Sequence, residues 1–410
     1  MTAFAQAPVP AARLLFVSIA GLDASAWAAP GDMPTLAALA AAGVVADRVD
    51  TIAPASAYPV HATLVTGRSP SGHGVPADRR IGRHGVRSER YWHASQLHGA
   101  SLWQLAAEKR VPIAALDWPV TVGAAVDALL PDVTPVRRGE RYADLLAGSA
   151  TPALAAAVRD AGEEGEAAAP AGPARDRLLV DLACQTAAGE RPPALLLLRL
   201  TQTEPALRAD GPGSARARDA FAGADAELAR LFDCFDAAGL LADAAVAVVG
   251  DRVFEPIHSV VLPNVALAEA RLIDLEAMGD VQGWFALARS NGGSAFVYAR
   301  DEDRAIEARE VLEGLARRSG AFRVVPASEM AARGADPDAW FGLDAAAGFS
   351  FGDDARGPLV GPAAARGASG RLRPDASATP AFVAYGRGEG RRHVELRHLR
   401  HAHPAPVLGR

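Results

Sequence analysis

The 410-residue sequence contains only two cysteines, Cys184 and Cys234, and a single lysine, Lys109. Two cysteines cannot supply a disulfide framework or a thiolate-rich metal site, so we expect neither. Because arginine provides almost all of the positive charge and alanine is abundant, the shortage of lysine indicates a GC-rich, bacterial-like genome rather than a function. We interpret Lys109 as an ordinary solvated surface residue.

Long apolar runs are also missing. No stretch reaches the roughly 18 uninterrupted apolar residues that would predict a transmembrane helix. The N-terminal segment Met1–Arg13 lacks the basic start and the long apolar run of a signal peptide. The formal net charge of −6 argues against nucleic acid or an anionic membrane as a partner. We therefore expect a soluble cytoplasmic protein, and its oligomeric state does not follow from the sequence.

The chain, of which 50% is hydrophobic, alternates strand-like and helix-like segments. The apolar run Leu14–Ile19 has the length of a strand, and Pro34–Gly43 has the composition of a helix. The alternation continues with helices at Leu102–Lys109, Leu178–Ala188 and Arg216–Ala238, and with strands at Pro112–Leu116, Ala194–Leu200 and Ala245–Val249. Short connections between such segments predict an α/β domain with a doubly wound, mostly parallel sheet and helices on both faces.

We place this α/β domain at residues 12–400, with a small α+β segment inserted at residues 283–340. Within the insertion the pattern predicts the strand Ser294–Ala299, the helix Glu302–Ser319 and the strand Phe322–Val325. A sheet with one long helix would then form a unit beside the main sheet.

Two stretches are expected to add little to the core. Residues 135–175 are rich in Ala, Gly, Glu and Pro, which predicts a poorly ordered or peripheral segment with a solvated acidic cluster at Glu163–Glu166. Residues 401–410 are predicted to form a flexible tail. Adventitious metal binding by the histidines near the C-terminus is a weaker interpretation than a solvated tail; these histidines are His398, His401 and His403.

Residues 53–67 carry the most informative motif, Ala-Pro-Ala-Ser-Ala-Tyr-Pro-Val-His-Ala-Thr-Leu-Val-Thr-Gly. The motif closely resembles the nucleophile segment of the nucleotide pyrophosphatase/phosphodiesterase branch of the alkaline phosphatase superfamily. Other motifs similar to those of that family occur in the family's order; they are Val17–Gly21, Met33–Val44, Thr66–Val75, Asp117–Pro119, Gly211–Ser214 and Ala247–Asp251. The resemblance covers most of the chain and implies an alkaline-phosphatase-like fold.

The resemblance also implies where the family's catalytic groups would fall. The family builds two zinc sites around a threonine nucleophile, and this threonine falls on Ala57, whose methyl group can neither attack phosphorus nor bind a metal ion. The other ligands of the first zinc ion fall on Ala20, Asp251 and Arg252. The ligands of the second zinc ion and the asparagine that steadies the phosphate fall, in this order, on Glu204, Arg208, Ser369 and Asp78.

Of the seven positions that the family uses for the nucleophile or for metal ligands, only Glu204 and Asp251 carry a carboxylate that could bind a metal ion. A zinc site takes three or four ligands from the protein. We therefore expect no zinc cofactor and assign no catalytic residue. The resemblance predicts a pseudoenzyme that keeps the fold and binds a small anionic ligand or a protein partner.

Arg208 and Arg252 stand where the family has metal ligands, and two interpretations are open. In the first, the arginines form ion pairs that keep the emptied site folded. In the second, they present guanidinium groups to an anionic ligand. Two alternatives retain activity: a phosphodiesterase-type or phosphatase-type hydrolase with a rearranged site around Glu204, Asp251 and Asp78, or a metal-free enzyme acting on an anionic substrate.

Three further residues are weaker candidates for chemistry. Ser56 adjoins the lost nucleophile, but neighbouring residues at a turn point in different directions, which favours a backbone role. Asp23 could replace the acidic residue missing at position 20, although a loop or N-cap role suits its position better. His61 occupies a position that is generally structural in the family, so we interpret it as a buried histidine with satisfied hydrogen bonds.

Overall fold

A computed structural model of the protein describes residues 13–25, 33–136, 139–160, 171–277, 280–372 and 379–386. The strands of these residues are β1 (Arg13–Ile19), β2 (Val44–Val45), β3 (Arg79–Gly82), β4 (Gly85–Arg90), β5 (Ile113–Leu116), β6 (Ala128–Leu130), β7 (Leu195–Leu200), β8 (Ala244–Gly250), β9 (Glu255–Val261), β10 (Ile273–Leu275), β11 (Val281–Trp284), β12 (Ala286–Ser290), β13 (Ser294–Ala299), β14 (Phe322–Pro326), β15 (Phe341–Ala345), β16 (Gly348–Phe351), β17 (Val360–Pro362), β18 (Gly367–Ala368) and β19 (Phe382–Tyr385).

The helices of the same residues are α1 (Pro34–Ala42), α2 (Ala57–Thr66), α3 (Pro70–His73), α4 (Leu102–Glu108), α5 (Tyr142–Ser149), α6 (Pro152–Asp160), α7 (Pro173–Ala187), α8 (Thr203–Ala209), α9 (Ala215–Ala237), α10 (Pro263–Glu269), α11 (Glu302–Ser319) and α12 (Ala327–Ala332). A single 3-10 turn lies at Ala94–Gln96. Of the helices described, none combines the length and the apolar character needed to cross a membrane.

The largest sheet has seven strands in the order β2-β19-β8-β1-β7-β5-β6. β1 lies at the centre and pairs in parallel with β7 on one side and with β8 on the other. β5 and β6 extend the parallel set, and within this sheet of the described chain only β19 runs antiparallel to its neighbours. Because the chain proceeds outward from β1 in both directions, the sheet is doubly wound, as predicted.

Alternate residues of β1 bury opposite faces of this sheet. Leu15, Val17 and Ile19 pack with residues of α1, α7 and α9, whereas Phe16 packs with residues of α2 and α4. A strand turns successive side chains to opposite faces, so a continuous apolar run requires a helical layer on each side. The prediction of an α/β fold with helices on both faces is confirmed.

Two smaller sheets adjoin the large one. The first has the order β12-β13-β15-β14 and packs against α11. The predicted strand Ser294–Ala299 and helix Glu302–Ser319 are confirmed with the same bounds, whereas β12 and β15 were not predicted. The second sheet joins β16, β9 and β17, with β18 paired to β9. The boundaries 12–400 and 283–340 stay predictions.

Of the two alternatives predicted for residues 135–175, poorly ordered or peripheral, the first is wrong for the part that is described, and the second agrees with packing at the edge strand β6. Helices α5 and α6 lie there, and their apolar side chains are buried against the large sheet. These buried residues are Leu146, Leu154, Ala155 and Val158. Their apolar contacts outweigh the weak local pattern. The acidic cluster Glu163–Glu166 and the whole C-terminal tail, including residues 401–410 and the histidines at 398, 401 and 403, lie outside the described residues.

The expectation that the cysteines form no disulfide is also wrong. Cys184 of α7 and Cys234 of α9 are joined, with their Cα atoms 5.6 Å apart, because the two helices pack side by side on the large sheet. Disulfides persist in oxidising compartments. The bond therefore counts against the expected cytoplasmic location, which stays a prediction.

His61 ties α2 to the central strand. Its ring is fully buried, with Nδ1 2.7 Å from the carbonyl oxygen of Ala57 and Nε2 2.9 Å from the hydroxyl of Ser18. Because a carbonyl only accepts, Nδ1 carries the proton and Nε2 accepts from the hydroxyl. Burial, assisted by the charge of Arg199, lowers the pKa of His61 to about 3. The predicted role as a buried histidine with satisfied hydrogen bonds is confirmed.

We expect the His61 ring to remain neutral, with its proton on Nδ1, between about pH 8 and about pH 5, because burial disfavours the imidazolium. Nitrogen chemical shifts of the ring, followed during a pH titration, measure this directly. The urea-unfolded chain is the control, since an exposed histidine has a pKa of about 6.5. A midpoint above about pH 5.5 in the folded protein would contradict the burial argument.

We expect the double variant with Cys184→Ser and Cys234→Ser to fold but to lose about 2–4 kcal/mol of unfolding free energy, since the bond closes a loop of 50 residues. Urea unfolding of wild type, reduced wild type and the variant gives the comparison. Peptide mapping without reductant should recover the two cysteines in one linked fragment. Separate fragments would show that the two helices pack without the bond.

Candidate functional site

A cavity of about 330 Å³ opens at the carboxyl edge of the large sheet. The ends of β1, β7 and β8 meet there because these neighbouring strands are parallel. The N-terminus of α2 completes one wall, and the β3–β4 hairpin and the smaller sheets supply the other. Six residues predicted from the sequence line this cavity; they are Ser56, Asp78, Glu204, Arg208, Arg252 and Ser369.

The other three predicted pocket residues, Ala20, Ala57 and Asp251, are at most 3% exposed and lie behind the wall. Ala20 follows β1, and its carbonyl oxygen accepts the hydroxyl of Thr203 at 2.5 Å. Asp251 follows β8, and its Oδ1 accepts the backbone N–H of Gly21 at 2.9 Å. The structure therefore brings all nine predicted positions to one place.

The N-terminus of α2 carries the former nucleophile position. Ala57 is the first residue of the helix, and Ser56 is its N-cap without a side-chain capping bond. The Ser56 hydroxyl is buried and has no hydrogen-bond partner among the described residues. Oδ1 of Asp78 accepts the backbone N–H of Tyr58 at 2.9 Å. A carboxylate there complements the positive end of the helix dipole, so Asp78 stabilises the helix instead of facing the cavity freely.

Arg252 stands between the two carboxylates that the family would use for metal binding. Its Nη1 donates to Asp251 Oδ2, and its Nη2 lies 2.7 Å from Glu204 Oε2. Its side chain is only 1% exposed. The guanidinium therefore occupies the space between Asp251 and Glu204 and joins the end of β8 to the start of α8.

Arg208 holds the same glutamate from the solvent side. Its Nε and Nη2 lie 2.9 and 2.8 Å from Glu204 Oε1, one helical turn away. Its side chain is 49% exposed, unlike that of Arg252. Both guanidinium groups also lie over the ring of Phe254, with Cζ 5.4 and 5.3 Å from the ring centroid. Arg208 therefore keeps a face open to the cavity.

The charges fix the protonation of this group. Burial alone would raise the pKa of Glu204, but Arg252, Arg208 and Arg199 together lower it well below its usual value. Burial would lower the pKa of Arg252, but Asp251 and Glu204 raise it above its usual value. Glu204 is consequently a carboxylate and Arg252 a guanidinium near neutral pH.

The ion pairs continue beneath the cavity. Arg199 of β7 lies 3.6 Å from Glu204, 3.0 Å from Asp132 and 3.7 Å from Asp117. Asp117 belongs to the Asp-Trp-Pro motif, and its Oδ1 accepts a hydrogen bond from Arg175 Nη2 at 2.7 Å. In this series of ion pairs each buried charge has a neighbour of opposite sign, as the low-dielectric interior requires. The sequence indicates the motif Asp117–Pro119 but not the ion pairs of Asp117 with Arg175 and Arg199.

The donor set does not fit a zinc ion. In the part of the chain that the structure describes, no three His, Cys, Asp or Glu side chains are grouped so that they could hold a metal. Zinc takes three or four such ligands in proteins. Glu204 and Asp251, the two carboxylates left from the family's set, both face the guanidinium of Arg252.

The remaining predicted residues have structural partners. The carbonyl oxygen of Ser369 accepts the backbone N–H of Gly293 at 2.7 Å, which places the buried serine in the far wall. The side chain of Asp23 accepts the backbone N–H of Ser25 at 2.8 Å, a hydrogen bond typical of a loop. The predicted loop role of Asp23 is confirmed.

Sequence reasoning missed five polar residues of the cavity, namely Arg79, Arg90, Ser290, Asn291 and Asp353. The position of Arg79, directly after the predicted site residue Asp78, could have indicated that Arg79 lies near the cavity. Asn291 lies in a Ser-Asn-Gly-Gly segment between two strands, a pattern typical of a turn. No local pattern indicated Arg90 or Asp353, since both reach the cavity through tertiary packing.

Comparison with known proteins shows the family and the fold. The family model of type I phosphodiesterase/nucleotide pyrophosphatase matches residues 14–340. A search of curated protein sequences finds no significant match. Similar solved structures are murine ectonucleotide pyrophosphatase/phosphodiesterase 5, an inactive threonine-to-alanine variant of it in complex with AMP, and the human protein.

The similarity to these structures extends over nearly the whole fold. The murine protein superimposes with a TM-score of 0.60, at 16% identity, over 91% of this chain and 88% of its own. Its variant gives 0.60 over 92% and 88%, and the human protein gives 0.59 over 91% and 88%, both at 16% identity. The structures share the alkaline-phosphatase-like fold with this protein. Because the family model covers most of the chain, this protein belongs to the type I phosphodiesterase/nucleotide pyrophosphatase family.

Proposed function

We propose that this protein is a metal-free, catalytically inactive member of its family, and that its cleft binds a small anionic ligand. The observation that carries the proposal is the position of Arg252, whose guanidinium pairs with both Asp251 and Glu204. A metal ion at either carboxylate would have to displace this buried cation. The buried Arg252 therefore supports the first of the two open interpretations, an ion pair that keeps the emptied site folded, whereas the half-exposed Arg208 remains able to meet a ligand.

Hydrolysis lacks its two essential parts. Ala57 offers no nucleophile at the helix start where the family has threonine, and a methyl group has no lone pair for phosphorus. Without bound metal ions, nothing activates a water molecule or neutralises charge on the transferring phosphoryl group in the family's manner. A rearranged hydrolase has less support, because Asp78 accepts a backbone N–H and Glu204 and Asp251 are paired with arginine.

Anion binding has support from the cavity itself. Its volume of about 330 Å³ is at the small end of the range for metabolite-sized ligands. Four arginines line its wall; Arg208 and Arg252 are ion-paired with Glu204 and Asp251, whereas Arg79 and Arg90 form no direct ion pair with a described carboxylate. The murine relative with alanine in place of threonine is described as inactive and in complex with AMP. AMP is accordingly a suitable first probe for this protein.

We expect the purified, tag-free protein to retain no stoichiometric zinc after dialysis against zinc and then buffer, because the donor set is occupied by arginine. Mass spectrometry of metals measures the content. The same sample should not release nitrophenol from bis(nitrophenyl) phosphate above the rate of an Asp251→Asn variant. About two zinc ions per chain together with turnover that Asp251→Asn abolishes would overturn the proposal.

Anion binding is tested separately, in the presence of a chelator. We expect AMP to bind saturably in isothermal titration calorimetry, with an affinity that falls as salt is raised, because the arginines of the cavity wall attract it. Absence of binding by any small anion would remove the ligand-binding half of the proposal. The metal measurement would be unaffected by that result.

We expect Arg252→Ala to cost about 3–5 kcal/mol of unfolding free energy, since it leaves two buried carboxylates without their cation. Arg208→Ala is the matched control: its half-exposed guanidinium touches the same glutamate, and we expect a loss of about 0–1 kcal/mol. Urea unfolding of both variants and of wild type gives the values. Equal losses would show that Arg252 is not the residue that holds the emptied site together.

A further inference from the structure

The β3–β4 hairpin places two arginines directly opposite each other. In the register of the hairpin Arg79 pairs with Arg90, and both side chains line the cavity. Like charges directly opposite each other on an antiparallel pair destabilise it. A hairpin that keeps such a pair at the wall of a cavity needs a counter-charge.

The described carboxylates act on the two arginines only from a distance. Against the effect of burial, Asp132, Asp78 and Glu204 raise the pKa of Arg90, and the charge of Arg79 acts on Asp353. No carboxylate among them has an oxygen within 4.0 Å of either guanidinium. Asp78 and Asp353, in the same wall, instead accept backbone N–H groups at 2.9 and 2.7 Å. Arg90 lies over the ring of Tyr58, with Cζ 5.5 Å from its centroid, a contact that orients the guanidinium without neutralising it.

The hairpin is held at its turn as well as at its base. The carbonyl oxygen of Gly82 accepts the indole N–H of Trp284 at 2.9 Å, which links the turn to β11. This hydrogen bond helps to hold the hairpin, and with it both arginines, beside the cavity. An anion that enters meets donors already in place, which reduces the entropy lost on binding.

We propose that Arg79 and Arg90 form a clamp for the phosphate group of a small phosphate monoester. Such a group carries a charge of about −1.5 to −2 near neutral pH and has three oxygens that can accept from two opposed guanidinium groups. A single carboxylate would neutralise only one of the two. The clamp rests on the proposed function and names the chemical class of the ligand and the residues that hold it.

The clamp lies beside Asp78 and away from the former nucleophile and metal positions at Ala57 and Arg252. Arg79 and Arg90 belong to the hairpin, whereas Ala57 and Arg252 belong to the ends of the large sheet and its helices. The ligand's charged group is therefore bound on the hairpin side. The remainder of the ligand fills the space towards Arg208, whose open face is on the opposite wall.

The test is isothermal titration calorimetry of the full chain in chelator, with AMP, adenosine, inorganic phosphate and succinate as ligands. We expect AMP to bind, inorganic phosphate to compete with it, and adenosine not to bind. Arg79→Gln and Arg90→Gln should each weaken AMP binding at least about tenfold, the loss expected for a charge-assisted hydrogen bond. Arg80→Gln, adjacent in β3 but not part of this cavity wall, is the matched control and should leave AMP binding unchanged.

A melting curve of each ligand-free variant separates binding from folding. Since Arg79→Gln removes one of two opposed like charges, we expect its melting temperature to stay the same or to rise. A lower melting temperature with unchanged AMP affinity would assign Arg79 a structural role and overturn the clamp.

The other outcomes are also decisive. Equal AMP binding by wild type, Arg79→Gln and Arg90→Gln would overturn the clamp while the proposed function stands. Binding of adenosine as tight as that of AMP would show that the phosphate group is not what the cavity binds. Tight binding of succinate without binding of AMP would replace the ligand class. No binding of any of the four ligands would overturn both proposals.

Discussion

The site depends on one buried charge arrangement, in which the guanidinium of Arg252 lies between Asp251 and Glu204. A carboxylate without a partner in the interior is costly, so each of these acids needs the arginine in order to be buried. Asp251 in turn receives the backbone N–H of Gly21, just after β1. The ends of three parallel strands are thus linked through two adjacent side chains, Asp251 towards β1 and Arg252 towards the start of α8 after β7. The cavity keeps its shape because these ends keep their positions.

Much of the fold could be predicted from the sequence, because its strongest determinants are local. The apolar run at the centre of the large sheet is buried on both faces, and such a run is recognisable without knowledge of its neighbours. Helix bounds were also close: the predicted Arg216–Ala238 is found at Ala215–Ala237. The errors have tertiary causes. The disulfide joins cysteines 50 residues apart, and α5 and α6 are stabilised by burial of a few apolar side chains rather than by a strong pattern of their own.

The candidate site divides in the same way. Resemblance to the family placed eight residues at one site, and the structure brings these eight and the adjacent Ser56 together. It could not show which atoms touch, and so left open whether Arg208 and Arg252 are ion-paired or free. The geometry distinguishes them: Arg252 is enclosed, whereas Arg208 keeps an exposed face. Arg90 was missed because its approach to Arg79 depends on the register of a hairpin with an irregularity between Arg79 and Ile81, and register is set by tertiary packing.

A charge carried by a side chain differs physically from a charge carried by a metal ion. The arginine is covalently attached, so the buried acids keep this counter-charge whatever the metal concentration. The same guanidinium has no vacant coordination position and never deprotonates in a protein, so it cannot make a hydroxide from water as a bound zinc ion does. What remains available to such a site is recognition by hydrogen bonds and charge. The arginines of the cavity wall, and the opposed pair of the hairpin above all, are suited to that role.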